Sequence, residues 1–593
     1  MTEPMPHTLC AAFQNTSVAH PGKVALRTAD DAVAITWAGY AERVRRIAEG
    51  LHALGVRRGD AVAIMMTNRP EFHLVDCAAL HLGATPFSIY NTLAPGQIAH
   101  LLGNARNRIA ICEAQFAGRL RAADPDEQVE HLICVDGAVE DAVTLDQVAA
   151  LTSEGFDFDA AWQAVEPGDI ATIIYTSGTT GPPKGVELTH ANLLAELGAV
   201  ASIVRAGFDD SIVSYLPDAH IANRWGAHYT NLAHGTQIIT IPDHKQLVGT
   251  LPVVRPTVFG AVPLVWYKIK AGVEAALAAE PSKVKSGLAT WAISTGIKVA
   301  RLRSDRKPVP PLLTAQHALA ERLVLSKLRH RMGLDRVRIA VSGAAGIAPD
   351  ALAFMLGLGV PVCELWGMSE TSCAAIANPP DAIRIGTVGT VVPGGTEIRV
   401  AEDGELLVRG PLVMRGYRND PERTAEAVDH DGWLHTGDVA TIDADGYVRI
   451  VDRKKELIIN AAGKNMSPSN IEGAIKVAVP LAQAVVVIGD DRPYVTALLT
   501  LDPDACAAYA TKAGLPDSSP AALARHPEVH ALIEAGIKQA NEKLSRVEQV
   551  KNFTVLPASW EPGGDELTPT MKLKRRPITE KYAEEIDELY RRS

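Results

Sequence analysis

The sequence lacks any long uninterrupted apolar run. No stretch approaches the roughly 18 apolar residues that a membrane-spanning helix needs, and the amino terminus lacks a basic segment followed by an apolar one. We therefore expect neither a membrane span nor a secretory signal. The expected location is the cytoplasm, with peripheral contact at the membrane left open.

Cysteine pairs and an excess of positive charge are also missing. The seven cysteines form no CxxC pair and no Cys/His set with metal-ligand spacing, which argues against a disulfide framework and against a zinc site. A net charge of -11 argues against general nucleic-acid binding, because such binding needs a positive surface. The 593 residues exceed one ordinary domain, so we expect at least two.

Residues 175–185 read YTSGTTGPPKG and carry the strongest chemical signal in the chain. An apolar strand-like segment leads into glycines, whose backbone N–H groups can approach an anion, and into hydroxyl side chains that can donate hydrogen bonds. A lysine adds positive charge. The pattern predicts a phosphate-binding loop formed by Thr176, Ser177, Gly178, Thr179, Thr180, Gly181 and Lys184.

Two other interpretations of this loop fit less well. A Walker P-loop has Gly-Lys followed by Ser or Thr, whereas here two prolines precede Lys184 and Gly185 follows it. A flexible surface loop would not need so many groups that bind phosphate. Nucleotide chemistry is therefore the first hypothesis.

Residues 364–371, ELWGMSET, form the second signal. The ring of Trp366 can stack on adenine, and Gly367 allows close backbone approach. Ser369 can bond a phosphate oxygen, while Glu370 can bind Mg²⁺ as a hard oxygen ligand. A core tryptophan beside a surface glutamate is the alternative, and the loop at 175–185 argues against it.

These segments, in this order, resemble those of the adenylate-forming superfamily of acyl-CoA synthetases, luciferases and peptide-synthetase adenylation domains. The resemblance covers nearly the whole chain and is greatest to long-chain fatty-acid–CoA ligases. It implies an α/β fold with a large multi-sheet N-terminal adenylating domain, residues 1–451, that binds AMP and the acyl chain. A hinge at 452–455 and a small mobile α+β C-terminal domain at 456–593 would follow.

The same resemblance assigns roles to further residues. Thr179 joins Glu370 as a metal ligand and catalytic residue. The nucleotide-binding positions, besides those of the two segments above, are Gly343, Ala344, Asp438 and Arg453, and Gly463 would line the route of the pantetheine arm of CoA.

The resemblance also implies a hinge lysine and a catalytic lysine. Lys455 would be the hinge pivot, with Lys454 as a near alternative. Lys572 would offset the charge that develops on the carboxylate oxygen and the α-phosphate as pyrophosphate leaves, with Lys574 as the alternative.

The acyl site is assigned by the resemblance to three residues. His220 would border the reacting carboxylate as a catalytic residue, Trp225 would gate the acyl tunnel, and Gly260 would leave room for the chain. A core histidine and a core tryptophan are equally good interpretations of the first two.

Residues 265–332 read as long helices with one amphipathic face formed by Val284, Leu288, Trp291, Thr295, Val299 and Leu302. From residue 268 to residue 311 this segment has nine basic and three acidic residues. A solvated helix face explains this charge, and attraction to anionic lipid headgroups or to CoA phosphates is the alternative. A homodimer is also possible.

The resulting functional prediction is a ligase. A long- or very-long-chain fatty acid would react with ATP and Mg²⁺ to give acyl-AMP and pyrophosphate, and CoA would then accept the acyl group, giving acyl-CoA and AMP. The alternatives are a fatty acyl-AMP ligase that loads a carrier protein and a nucleotide- or lipid-binding protein without turnover.

Overall fold

A large mixed sheet forms the centre of the N-terminal part of the chain. The computed structural model describes residues 6–176, 182–201, 203, 205–460, 465–568 and 571–591. The spatial order of the strands in this sheet is Thr390–Val391, Ile376–Ala377, Val362–Trp366, Ile339–Ser342, Val258–Ala261, Ser211–Ser214, Gln237–Thr240, Val24–Thr28 and Ala34–Thr36. The pairings from Val362–Trp366 through Val24–Thr28 are parallel, so the carboxyl ends of these strands meet at one edge.

A second, parallel sheet lies near the amino terminus. Its strands, in spatial order, are Thr85–Ser88, Ala61–Met65, Ile109–Cys112, His131–Cys134 and Val143–Thr144. Helices connect and cover them: Trp37–Ala53, Pro70–His81, Pro95–Ala105, Ala114–Ala123 and Leu145–Ala150. The alternation of helices with buried strands produces the predicted α/β fold, and the strand predicted at Ala61–Met65 is confirmed.

Two antiparallel sheets carry segments of the candidate site. One contains Gly416–Tyr417, Lys184–Thr189 and Ile170–Thr176, so that the strands on either side of the predicted phosphate loop pair with each other. The other contains Glu397–Val400, Glu405–Arg409, Leu434–Ile442 and Val448–Arg453, and its last strand leads into the C-terminal part of the chain.

The C-terminal part has its own apolar core around Ile471, Val485 and Leu499. Its sheet orders the strands Ala482–Ile488, Val495–Leu501 and Val550–Val555, and the hairpin predicted from the first two is confirmed. The helices are Pro468–Ala478, Pro503–Ala513, Pro527–Asn541, Arg575–Lys581 and Ala583–Arg591. Separate cores explain why this part can act as a small α+β unit.

The segment 265–332 is helical as predicted, with helices at Pro263–Ala279, Lys283–Ser304, Pro311–Ala320 and Ser326–Met332. The predicted apolar face is wrong at its start, because Thr295 and Val299 are buried whereas Val284 is 80% exposed. The helix packs on Pro349–Gly357 near Gly296, where any Cβ would overlap the Gly357 carbonyl oxygen. Within the described part of the chain, no helix is both long and apolar enough to cross a bilayer.

Candidate active site

The ends of the predicted phosphate loop are held by strand pairing. Thr176 and Lys184 are cross-strand partners, which brings the two ends of the loop together. The ammonium of Lys184 lies over the ring of Tyr417, 4.7 Å from its centroid. Ser177, Gly178, Thr179, Thr180 and Gly181 lie outside the described residues.

Glu370 lies in the short helix Ser369–Thr371, where both it and Ser369 are buried. The Tyr417 hydroxyl donates a 2.8 Å hydrogen bond to Glu370 Oε1. Sequence reasoning missed Tyr417, because its place depends on the pairing of Gly416–Tyr417 with the strand that follows the phosphate loop.

The donor set at Glu370 fits magnesium. Among the described residues, no group of three or more His, Cys, Asp or Glu side chains could hold a metal ion. Mg²⁺ is commonly bound through one or two carboxylates together with substrate phosphates and water, so a single buried carboxylate beside a phosphate loop suits it.

The adenine and ribose candidates are bonded to one another. Trp366 donates from Nε1 to Asp438 Oδ2 at 2.8 Å, and Arg453 Nε pairs with Asp438 Oδ1 at 2.7 Å. Burial raises the pKa of Asp438, and the Arg453 charge opposes that effect. Ribose hydroxyls donating to Asp438 would share its oxygens with these two side chains.

Two glycines near the adenine candidate are required by the chain itself. A Cβ at Gly367 would overlap the Cys373 carbonyl oxygen, and a Cβ at Gly343 would come within 2.7 Å of Leu365 Cδ1. Ala344 has a left-handed backbone with φ 67°. The close backbone contact at Gly367 is therefore made with the backbone of Cys373 in the same loop.

Glu364 supports the loop that contains Gly343 and Ala344, and sequence reasoning missed this role. Its Oε1 accepts a 3.2 Å hydrogen bond from the Ile347 backbone N–H. Burial raises the pKa of Glu364 to about 8. Its place inside the strand Val362–Trp366 gives no local signal for this contact.

Lys572 belongs to the C-terminal part, and charged groups of the large domain act on it. The charges that act on it include those of Arg453, Asp438 and Glu370, and crowding by protein lowers its pKa. The residue nevertheless keeps solvent exposure, as a side chain in an open cleft would. Lys574 instead donates from Nζ to the Gly564 carbonyl oxygen at 2.8 Å.

The hinge candidates lie in a turn after the strand Val448–Arg453. Lys455 is exposed, and Lys454 pairs with Asp403 and with Glu405. Gly463 lies outside the described residues.

The acyl candidates converge on one apolar cavity. Trp225 and Gly260 line this apolar cavity, together with Leu197, Val200, Leu216 and Val341. A Cβ at Gly260 would come within 3.2 Å of Val341 Cγ2, so a larger side chain there would narrow this space. The cavity suits an alkyl chain.

His220 lies next to a residue that lines this cavity. Its Nδ1 accepts a 3.1 Å hydrogen bond from the Ala222 backbone N–H, and Ala222 lines the cavity. Burial and the charge of Lys572 lower the pKa of His220 to about 3, so its ring is neutral at physiological pH.

A buried charge network supports the turn that carries Trp225. Arg224 and His228, in the π-helix Arg224–Tyr229, bind the two oxygens of Asp76 at 2.6 and 2.9 Å, and all three side chains are fully buried. Sequence reasoning did not find this network, because 148 residues separate Arg224 from Asp76.

The comparison with known families is consistent with this geometry. The AMP-binding enzyme family matches residues 13–418, and the AMP-binding enzyme C-terminal domain matches residues 455–593. The chain belongs to the AMP-binding enzyme family. Members of this family use ATP, so the predicted nucleotide chemistry is confirmed.

Individual proteins of the family align with most of this chain. It is 55% identical over 445 residues to the "Putative fatty-acid--CoA ligase fadD11" of Mycobacterium tuberculosis, covering 75% of this chain and 78% of that one. It is 35% identical over 568 residues to "Long-chain-fatty-acid--CoA ligase FadD15" of the same organism, covering 94% and 92%.

Solved structures confirm the fold. The adenylation domain of a carboxylate reductase from Mycobacterium chelonae superposes with a TM-score of 0.75 at 20% sequence identity, covering 99% of this chain and 92% of that one. The predicted α/β class, with a large N-terminal domain and a smaller C-terminal one, is therefore correct.

Proposed function

We propose that this protein converts a long-chain fatty acid, ATP and CoA into acyl-CoA, AMP and pyrophosphate through an acyl adenylate. The observation that carries the proposal is the combination of the apolar cavity lined by Trp225 and Gly260 with the hydrogen-bonded pair of Trp366 and Asp438, whose charge also acts on Lys572. The names of the relatives fadD11 and FadD15 support a fatty acid as the substrate.

The first half-reaction would proceed by in-line attack of a carboxylate oxygen on the α-phosphorus. The acyl chain lies along Trp225 and Gly260, which directs its carboxylate toward His220. Lys572 offsets the negative charge that develops at the α-phosphate, and positioning together with charge stabilisation lowers the barrier.

The phosphates would be held from the other side of the cleft. Lys184 and Thr176 bind the β- and γ-phosphates, together with the predicted loop residues. Glu370 and Thr179 would hold Mg²⁺, which neutralises phosphate charge when bound. Trp366, with Asp438 and Arg453, holds the nucleoside.

The second half-reaction requires the CoA thiol to reach the adenylate. Rotation at Lys455 would withdraw Lys572 from the cleft and bring Gly463 toward the thiol route. The domain boundaries and the residue roles in this scheme are proposals that follow from the resemblance and fit the contacts above.

The test is a paired assay with palmitate, ATP and Mg²⁺, with and without CoA, in which products are identified by mass. We expect palmitoyl-CoA and AMP only when CoA is present. Palmitoyl-AMP that is transferred only to a loaded carrier protein would favour the carrier-loading alternative. Absence of adenylate with any carboxylate would leave only nucleotide or lipid binding.

We also propose peripheral contact with anionic membranes through the basic helical surface, residues 283–288 and 312–331. These two segments contain six Lys and Arg against one acidic residue, in a chain of net charge -11. Leu312 and Leu319 are 73% and 50% exposed, and Arg322 and Lys327 are exposed near them. Apolar side chains beside cations suit a lipid interface.

Vesicle sedimentation tests this contact. We expect binding to vesicles with anionic lipid at low salt, and loss of binding when Arg322 and Lys327 are changed to Glu. Lys512→Glu, at an exposed position of the small domain, is the matched control. Equal sedimentation with neutral and anionic vesicles would contradict the proposal. A homodimer stays a prediction, which sedimentation velocity tests.

A further inference from the structure

Tyr417 touches two groups to which the proposed function gives separate tasks. Its hydroxyl donates to Glu370 Oε1 at 2.8 Å, and its ring lies under the Lys184 ammonium at 4.7 Å. Glu370 is the proposed metal ligand and Lys184 the proposed phosphate ligand. The tyrosine is 8% exposed, so these contacts are shielded from bulk water.

The backbone around Tyr417 holds the ring in this place. The Met414 N–H donates to the Glu370 carbonyl oxygen at 2.9 Å, and the Arg418 N–H donates to the Gly185 carbonyl oxygen at 2.7 Å. The segment between them therefore bridges the Glu370 helix and the end of the phosphate loop. The Thr424 hydroxyl accepts a 2.9 Å hydrogen bond from the Tyr417 N–H.

We propose that Tyr417 is a positioning residue that couples the metal carboxylate to the phosphate-binding lysine. The inference rests on the roles that the proposed function gives to Glu370 and Lys184. The hydroxyl engages Oε1 and leaves Oε2 for the cation, so the carboxylate binds through one oxygen. The ring holds the Lys184 ammonium by a cation–π contact.

The two halves of this role are separable by substitution. Tyr417→Phe keeps the ring and removes the hydroxyl, so it frees the carboxylate but leaves Lys184 in place. Tyr417→Leu removes both contacts. An aromatic side chain that served packing alone would tolerate the first change without any effect on metal affinity.

The experiment measures binding rather than turnover. Mn²⁺ is titrated by electron paramagnetic resonance in the presence of a non-hydrolysable ATP analogue, and analogue binding is measured separately in EDTA. For Tyr417→Phe we expect about tenfold weaker Mn²⁺ binding, as for loss of one hydrogen bond to a charged group, with unchanged analogue binding in EDTA. For Tyr417→Leu we expect both to weaken.

Tyr447→Phe is the matched control. The Tyr447 hydroxyl also donates to an acceptor, the Ala382 carbonyl oxygen at 2.7 Å, and its ring lies 3.9 Å from the Arg384 guanidinium. This tyrosine has the same kinds of contact away from the cleft. We expect its replacement to leave Mn²⁺ and analogue binding unchanged.

A double-mutant cycle keeps the inference testable if Tyr417→Phe also lowers stability. In a Glu370→Gln background, Tyr417→Phe is expected to cause no further loss of Mn²⁺ affinity. Equal Mn²⁺ affinity of wild type and Tyr417→Phe, or equal losses in both backgrounds, would overturn the inference. Failure of the wild type to make any adenylate would overturn the proposed function instead, because the binding experiment does not depend on turnover.

Discussion

At the residue scale, the charged side chains of the candidate site come from segments that are distant in the chain. Glu370 and Asp438 come from the large domain, and Lys572 comes from the C-terminal part. In the proposed scheme, this cation acts in only one of the two domain orientations. Lys572 is therefore the residue whose substitution should separate the two half-reactions.

Lys572→Ala should slow adenylate formation by about 10²–10³-fold, the usual cost of removing one group that stabilises transition-state charge. Transfer from preformed palmitoyl-AMP to CoA should stay near the wild-type rate, because the proposed rotation withdraws Lys572 from the cleft for that step. Rapid-quench measurement of each half-reaction checks both expectations.

Lys574→Ala is the control for that variant. Its ammonium donates to the Gly564 carbonyl oxygen within the small domain. Adenylate formation that survives Lys572→Ala but fails in Lys574→Ala would reverse the assignment of the two lysines.

The candidate residues that could be predicted from the sequence all lie in short local sequence motifs. Lys184, Trp366 and Glu370 lie in short segments whose residue types indicate their chemistry without knowledge of the fold. Tyr417 and Glu364 were missed, since each acts through a contact that only strand pairing or loop closure creates. Buried networks such as Asp76 with Arg224 leave no local pattern either.

At the scale of elements, the first helix, Leu9–Ala19, is attached through two neutral histidines. His190 Nδ1 accepts from the Leu9 N–H at 3.2 Å, and His81 Nε2 lies 3.0 Å from Gln14 Nε2. Burial lowers the pKa of both rings from 6.5 to about 4. Protonation of His190 would remove the acceptor that holds the start of the helix.

Acid should therefore loosen this helix. When the helix opens, each histidine is exposed and binds a proton below its ordinary pKa of 6.5, whereas in the closed state it binds one only below about pH 4. The free energy of opening the helix is therefore at its full value above about pH 6.5 and falls as the pH drops toward 4. Between about pH 7.5 and pH 5.5 each histidine should lower the local opening free energy by about 1.4 kcal/mol.

Hydrogen exchange of residues 9–19, corrected for the intrinsic pH dependence, measures that free energy. His190→Asn should reduce the pH dependence, and His430→Asn, at a residue whose side chain is 90% exposed, should leave it unchanged. Protection that is independent of pH in the wild type would refute the attachment.

Helices and strands were predicted correctly where the whole element lies in one environment, because its pattern of apolar residues is then uniform. The strand Ala61–Met65 is buried along its whole length, and the hairpin of Ala482–Ile488 with Val495–Leu501 has turn residues between two apolar runs. The face of the helix Lys283–Ser304 failed because its two halves meet different surroundings. The helix is packed from Ala289 onward, whereas its first turns lie outside the core, so Val284 stays exposed.

At the scale of the whole molecule, the two domains are held in one orientation by contacts across the cleft. Asp350 pairs with Arg301 of the large domain and with Lys543 of the small one, and Lys268 pairs with Asp502 at 3.2 Å. Gly563 of the small domain lies against Thr92, and a Cβ there would come within 2.7 Å of Thr92 Oγ1. In the proposed scheme, rotation at Lys455 would separate Gly563 from Thr92.

Gly563→Ala should therefore impair adenylate formation more than thioester formation, by about tenfold, since the added methyl opposes one orientation. Gly514→Ala is the matched control: both glycines have positive φ, 81° and 66°, but a Cβ at Gly514 meets nothing within 4 Å. Gly563→Ala/Thr92→Ala should recover part of the loss. Equal effects of the two glycine variants on both half-reactions would show that backbone strain, rather than the Thr92 contact, is responsible.

The central claim, that a fatty carboxylate attacks the α-phosphorus of ATP before CoA enters, is tested most directly by oxygen labelling. Palmitate carrying ¹⁸O in both carboxylate positions is incubated with unlabelled ATP, Mg²⁺ and CoA, and the products are separated and weighed. We expect one labelled oxygen in AMP and one in palmitoyl-CoA, because the bridging oxygen of the adenylate stays with AMP when CoA displaces it. Formation of ADP in place of AMP, with ¹⁸O in inorganic phosphate, would contradict the adenylate mechanism.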